Sequence, residues 1–295
     1  MKFLLISGRG AKEQTTGYFV QEAKKRFSTV LSVPLDKIRI ECENGQNRIY
    51  YKTTDLSKFH VCYARLFAKD FIFGDVVLDI LEQSGVYMPT SADSFQIANH
   101  KYYTAQALGK LHIPVPTTFI SVSPKPAVRI ARRMKYPVVV KLLSGFGGRG
   151  VMLAQSEAEL QPIADTLQVF KEFISIQQFV KARNEDLRCY VLGEDVKGVR
   201  RIAPKGDWRA NVSRGGKAQW ARLPEGAKEI AVNSAKALGM DVCAVDLLQT
   251  DKGLYVAEVN FSPGIIPKFF RRQIAGFIME YLYNEGKKHR LGIYS

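Results

Sequence analysis

Two stretches near the C-terminus decide the reading of this chain: Val242-Cys-Ala-Val-Asp-Leu-Leu248 and Leu254-Tyr-Val-Ala-Glu-Val-Asn-Phe261. Both are apolar and rich in strand formers, and Thr250-Asp-Lys-Gly253 between them is a hairpin signal. With the turn centred near Lys252, Asp246 falls opposite Glu258. Asn260, two residues on, shares the face of Glu258 because strand side chains alternate. Two carboxylates and an amide oxygen then converge on one side of a hairpin. Buried uncompensated anions are costly, and the usual remedy is a hard cation, with Mg²⁺ favoured by all-oxygen ligands. The competing reading is a solvated acidic face. The residues between are nearly all apolar and leave little water to solvate it.

Working outward, 295 residues suggest two or three modest domains. Hydrophobic residues at 46% and charged residues at 24% are ordinary for a globular chain with a real core. No apolar run approaches the length that spans a bilayer, and Met1–Ser7 is too short for the apolar part of a signal peptide and reads as a first strand. Cys42, Cys62, Cys189 and Cys243 lack metal-ligand spacing and read as reduced core or near-core thiols of a cytoplasmic protein. Lys and Arg number 43 against 28 Asp and Glu, a formal net of +15. Such a field steers anions inward without choosing among nucleotide, acidic peptide and nucleic acid.

The opening 90 residues alternate strand and helix, which favours a parallel sheet: a strand over 3–6, a helix near 18–27, a strand around 59–65 and a helix over 75–84 stopped by Gly85. Gly8-Arg-Gly10 completes neither a dinucleotide fingerprint nor a phosphate-binding loop of the Gly-Lys-Ser/Thr type, and reads as a turn. Residues 89–92 read as a linker, 103–111 as a helix, 124–135 as a helix opened by prolines and 136–143 as a strand. Ser156-Glu-Ala-Glu159 is a capping box, 224–238 a helix stopped at Gly239, and 269–285 a last helix ended by Gly286.

Lys141 lies inside an otherwise apolar strand, where a bare ammonium is costly and a phosphate partner removes the difficulty. Gly145-Phe-Gly-Gly-Arg-Gly150 follows, and its glycines Gly145, Gly147, Gly148 and Gly150 let backbone N–H groups approach an anion. An edge-strand lysine and a plain hairpin tip are the alternatives. Ile174–Val180 is a short apolar strand able to pair with an adenine edge, and Asp186 could accept from a ribose hydroxyl or a lysine; a half-buried strand and a turn explain both equally well. Arg200-Arg201, Arg209-Ala-Asn211 and Arg214-Gly-Gly216 suit carboxylate or phosphate oxygens, against the alternative of a solvated basic face.

The order of these parts resembles the ATP-grasp ligases. A strand lysine, a glycine loop, Gln178-Phe-Val180, Asp186-Leu-Arg188, Arg209-Ala-Asn211, Arg214-Gly-Gly216, Ala244-Val-Asp-Leu-Leu248 and Glu258-Val-Asn-Phe-Ser-Pro-Gly264 occur in that family's sequence. The nearest resemblance is to the RimK-like group, which joins amino acids, often glutamate, to an acceptor carboxylate. It covers about residues 90–275. The fold this implies is α/β, α+β in part: an ATP-grasp fold with a small N-terminal α/β domain (1–90), a central subdomain with a glycine-rich lid (91–180) and a C-terminal subdomain with a metal site (181–295). The resemblance implies that Lys101 and Lys141 hold ATP phosphates and that Gln178, Phe179 and Val180 line the adenine site, with Asp186 nearby. It further implies that Arg209 and Asn211 contact nucleotide, and that Asp246, Glu258 and Asn260 bind one or two Mg²⁺ or Mn²⁺ ions. Arg201 and Arg214 are the candidates for holding the carboxylate, the acyl-phosphate and the departing phosphate. Gln178 stands where the family usually has Glu, and His100 where Asp is common before the lysine.

The implied reaction is ATP-dependent carboxylate–amine ligation through an acyl-phosphate. Expected partners are ATP, an amino acid such as glutamate and an acidic acceptor, either a protein C-terminus or a cofactor tail; self-association stays open. Two other readings are an aminoadipate–carrier-protein ligase and a basic nucleic-acid-binding protein on an ATP-grasp-like scaffold. The second is disfavoured because the sequence has no recognised nucleic-acid motif.

Overall fold

A computed structural model describes residues 1–142, 150–207, 209–210, 215–265 and 270–293. In the first part, β1 (Lys2–Ser7) lies between β2 (Thr29–Pro34) and β6 (Val61–Arg65), all parallel. Phe3, Leu4, Leu5 and Ile6 are all fully buried because both faces of this sheet are covered. On one face sit α1 (Glu13–Lys24) and the C-terminal helix α8 (Arg271–Arg290), through Phe19, Ala23, Ile274, Ile278 and Leu282. On the other sit α2 (Phe71–Gln83) and a hairpin of β3 (Ile38–Glu43) and β4 (Gln46–Tyr51), which continues to the short β5 (Thr54–Asp55). That hairpin turns at Asn44-Gly45, both with positive φ, the turn that Asn-Gly favours. The dipeptide was the available signal for these strands. Cys42 lies exposed on this hairpin, whereas Cys62, Cys189 and Cys243 are buried.

The expected linker at 89–92 is non-helical through Ser91, with Thr90 bridged to Met240, and a helix opens at its last residue, Ala92. Ser91 Oγ accepts the Ser94 N–H and caps α3 (Ala92–Asn99), and α4 (Lys101–Lys110) follows directly. A four-stranded antiparallel sheet comes next, in the order β7 (Thr118–Ser121), β10 (Ile174–Gln178), β8 (Val138–Lys141), β9 (Val151–Ala154). Val138, Val140, Ile174 and Ile176 pack beneath α5 (Pro124–Met134) and α6 (Glu157–Val169). Alternation turns Lys141, Ser175 and Gln177 to the opposite face. The cap at Ser156 is present, its Oγ accepting the Glu159 N–H at 3.3 Å, while the Glu159 carboxylate reaches back to the N–H of Gln155.

The third part is a five-stranded antiparallel sheet ordered β13 (Lys217–Trp220), β12 (Asp195–Ile202), β11 (Glu185–Leu192), β14 (Val242–Thr250), β15 (Gly253–Asn260). One face packs Leu187, Cys189, Val191, Val245, Leu247, Val256 and Val259 against α7 (Ala227–Ala237). The other carries Tyr190, Leu192, Val199, Val242 and Ala244 onto α8 and the parallel sheet. Helix α8 runs through Gly286 rather than ending there. A Cβ at Gly286 would lie 2.3 Å from Val61 Cγ2, so this glycine serves helix–strand packing and not helix termination. Among the described residues no helix is long and apolar enough to cross a membrane.

Candidate active site

Along the face that packs on α8, the apolar side chains give way at one end of the sheet to charges. On β11 the same-face series Leu192, Tyr190 continues as Arg188 and Asp186; on β12 Val199 is followed by Arg201; on β14 Ala244 is followed by Asp246. Strand register pairs Arg188 with Asp246 and Asp186 with Arg201 directly. Arg188 grips Asp246 through Nε and Nη2, both at 2.7 Å. Arg201 grips Asp186 at 2.5 and 2.6 Å and also reaches Asp246 Oδ2 at 2.9 Å. The result is a buried chain of two guanidinium groups and two carboxylates with no net charge, and removing one member of such a set costs about 3–5 kcal/mol. Burial opposes ionisation of Asp246, but Arg188 and Arg201 outweigh it and hold the carboxyl at about 2.

This network bears on the expectation for Arg201. At 2% exposure, Arg201 gives its Nε and Nη2 to Asp186 and Asp246. Asp186 likewise accepts from Arg201 rather than from a lysine. Arg188 is the network member that sequence reading did not single out. Its signal was its place two residues beyond Asp186 on a strand, which puts both on one face.

Asp246 pairs with Glu258, and Ala244 with Asn260. The turn is tighter than expected: Thr250 pairs with Gly253, leaving two residues at the tip. An irregularity between Asp246 and Leu247, whose partners are Glu258 and Val256, makes Ala257 an extra residue in β15. The bulge lets Val256 and Val259 both enter the core while Glu258 and Asn260 stay on the face of Asp246. The carbonyl of Ala257 accepts from Lys141 Nζ at 3.5 Å, which brings the middle sheet to the last hairpin. Lys101, Lys141, Gln177 and Glu258 line one cleft. Burial pulls the Lys141 ammonium below its ordinary value; Glu258 and Asp246 oppose this and Lys101 adds to it.

Among the described residues no three His, Cys, Asp or Glu side chains form a metal cluster. The donor set is two carboxylates and an amide, with Asn260 Nδ2 buried and without a partner. An amide whose orientation is unsettled by neighbours can present its oxygen instead, and the set fits a hard divalent cation.

The remaining candidates fall as follows. Gly145, Gly147, Gly148, Asn211 and Arg214 lie outside the described residues. Gly150 has φ +73° and closes the loop base, its carbonyl accepting the Leu142 N–H at 2.8 Å; a side chain there would press on Leu142. Arg209 pairs with Asp207 and donates to the carbonyl of Val151 at 3.1 Å, tying its loop to β9. Gln178 is exposed, and Phe179 and Val180 are half-buried just beyond β10. Gln177, on the cleft face and donating to Thr118 Oγ1 at 3.0 Å, is the neighbour that alternation would have pointed to.

Comparison with known proteins bears on this geometry. The family model described as the RimK-like ATP-grasp domain matches residues 98–282. A probable alpha-L-glutamate ligase of Methanococcoides burtonii is 31% identical, with 97% of each chain covered. Another of that name from Hydrogenovibrio crunogenus is 31% identical over 98% of this chain and 97% of its own. Among solved structures, a Chryseobacterium gregarium RiPP-associated ATP-grasp ligase in complex with ADP and a leader and core peptide superposes with TM-score 0.72 at 17% identity, covering 97% of each chain. D-alanine–D-alanine ligase from Bacillus anthracis, complexed with ATP, gives TM-score 0.72 at 16% identity over the whole of both chains. The chain belongs to the RimK-like ATP-grasp family and is a ligase that forms carbon–nitrogen bonds.

Proposed function

We propose that this RimK-like ATP-grasp ligase joins the amine of glutamate to a carboxylate of an acidic acceptor, a protein C-terminus or a cofactor tail, with cleavage of ATP to ADP and phosphate. One observation supports the reading: Lys141 reaches the bulge at Ala257, beside Asp246's partner Glu258, so the proposed phosphate-binding lysine and one carboxylate of the proposed metal face line one cleft. The relatives' name supplies glutamate, and the net charge of +15 favours an acidic acceptor. The three-part division at residues 90 and 180 and a cytoplasmic setting belong to the same reading.

Lys101 and Lys141 would neutralise the polyphosphate, with the 144–150 loop closing over it. Asp246, Glu258 and Asn260 would hold one or two Mg²⁺ or Mn²⁺ ions, which when bound offset charge on the phosphates. Asp246 accepts three hydrogen bonds and a carboxylate offers about four lone-pair sites, so one site on Oδ1 remains for a cation. Arg188 and Arg201 act by fixing that carboxylate in place. Gln178, Phe179 and Val180 would border adenine, Arg209 and Asn211 the nucleotide, and Arg214 the departing phosphate.

An acceptor carboxylate oxygen attacks the γ-phosphorus, the bond to the bridging oxygen breaks and ADP leaves. Glutamate nitrogen then attacks the acyl carbon, inorganic phosphate departs and the nitrogen loses a proton. No side-chain nucleophile takes part; acceleration comes from positioning and charge stabilisation. The test is incubation of the purified protein with Mg-ATP, glutamate and a panel of carboxylate acceptors, following ADP and product mass. Glu258→Ala should abolish ADP release with the fold retained, and retained turnover would remove the metal assignment. Turnover of acidic acceptors should fall with added salt more than that of neutral ones; equal salt response removes the acidic acceptor.

A further inference from the structure

In the parallel sheet, β1 is flanked by β2 on one side and β6 on the other, so the chain order reverses at β1. Open parallel sheets bind ligands in the crevice beyond the carboxyl ends of the strands at such a point. Here that crevice is built rather than loose. The Gly8 N–H donates to the carbonyl of Arg65, and buried Asp70 accepts from the N–H groups of Arg9 and Phe67. A Cβ on Gly8 would lie 2.1 Å from the Asp70 carboxylate, so the two loops are in close contact.

Arg65 ends β6 and is only 5% exposed. Its guanidinium stands over the Phe19 ring, 4.7 Å from the centroid, and one Nη makes a long contact to the carbonyl of Pro263 at 3.5 Å. Among the described residues Nε has no hydrogen-bond partner and no carboxylate pairs with the group. Arg188 and Arg201, equally buried, each have a carboxylate fork. A buried guanidinium without a counter-carboxylate is disfavoured, which an anion would relieve. The Tyr63 hydroxyl, two residues back on the same face of β6, interacts with Arg65 itself, and among the described residues Ser262 Oγ beside Pro263 is buried without a hydrogen-bond partner. Burial pushes the Tyr63 hydroxyl up to about 12, so it remains a donor. A buried guanidinium without a carboxylate among the described residues, with a buried hydroxyl at the adjoining 261–264 turn, calls for an acceptor-rich ligand.

We propose that this junction holds a carboxylate of a substrate, with Arg65 as its guanidinium partner and Tyr63 and Ser262 as hydroxyl donors, next to Asn260. A planar carboxylate matches the guanidinium fork, and the phosphate-binding lysines lie in the cleft of the middle sheet. The proposal rests on the ligase reading and adds which residues recognise the amino acid or the acceptor.

The test compares wild type, Arg65→Lys and Ser262→Ala as full chains. With ATP, L-glutamate and an active acceptor, each variant should raise KM for one carboxylate substrate about tenfold, the loss of roughly one good hydrogen bond, with KM for ATP changed by less than about twofold. Which KM moves tells the amino acid from the acceptor. Without turnover, L-glutamate or glutarate should raise the unfolding temperature of wild type and not of Arg65→Lys; glutamine and isoglutamine identify the carboxylate engaged. A change confined to KM for ATP, or unchanged KM for both carboxylate substrates in folded variants, overturns the proposal. So does the absence of any thermal shift in wild type with L-glutamate, with glutarate and with the active acceptor. A wild type that releases no ADP with any acceptor defeats the ligase reading instead, and the thermal arm still decides whether Arg65 binds a carboxylate.

Discussion

Glu258 lies directly across the last hairpin from Asp246, yet the two carboxylates live differently. Asp246 is 3% exposed and held by two guanidinium groups, whereas Glu258 is half-buried, with no ion pair to any described side chain. One is an anchored carboxylate and the other an open one, and Lys141 stands beside the open one. A cation arriving at this face would meet a ligand that is already oriented and one that is free to adjust.

Removing the anchor should be costly to folding. Arg188→Met leaves Asp246 buried with Arg201 alone and is expected to lower stability by about 3–5 kcal/mol. Asp246→Asn should cost a comparable amount, because it leaves Arg188 without a carboxylate, and the double variant should fall well short of the sum, because each change removes the other's partner. Urea unfolding of the four proteins measures the coupling; additive losses would mean that the network is energetically idle.

Lys141 should behave in the opposite way. Its ammonium is disfavoured by burial, so Lys141→Met is expected to leave stability unchanged or raise it by about 1 kcal/mol. ADP release should nevertheless fall at least about a hundredfold, the loss of a phosphate-binding charge. A thermal melt and an ADP assay on one preparation decide it, and a stable variant with ordinary turnover would free Lys141 of its role.

Gly286→Ala sets helix propensity against packing. Alanine favours the helix interior by about 1 kcal/mol. The added methyl, however, would sit 2.3 Å from Val61 Cγ2, and overpacking typically costs about 1–3 kcal/mol. A net loss of stability is expected, with Val61→Ala restoring it; a stabilised single variant would show that α8 can move away from β6 without penalty.

Glu22 of α1 is 4% exposed and accepts from Lys25, Arg26 and Arg272, the last of these on α8. Burial raises its pKa, but the three cations outweigh it and the net shift is downward from 4.5. The folded state then binds fewer protons than the unfolded chain at acid pH, so this contribution is present in full above about pH 4.5 and is lost as pH falls below it. Glu22→Gln should lower the unfolding temperature at neutral pH, and the gap from wild type should close on acidification. A gap that stays constant down to pH 3, roughly 1 unit below an ordinary carboxyl, contradicts the assignment.

By itself the sequence determined what depends on neighbours along the chain. Strand periodicity placed Asp246, Glu258 and Asn260 on one face of a single hairpin, and the apolar setting of Lys141 marked it as an ammonium in need of a partner. The sharper register was not legible. The expected turn near Lys252 is one residue too wide, and only the bulge at Ala257 restores the pairing, because Val256 and Val259 must both reach the core. Gly286 looked like a helix stop and proved to be a packing glycine, since nothing local announces Val61 against it. Arg188, Arg201 and Arg65 were alike as sequence, three basic residues ending or lining strands. The tertiary structure alone gave two of them carboxylates and left the third without one among the described residues, because charges far apart along the chain meet only when the strands that carry them pair and pack.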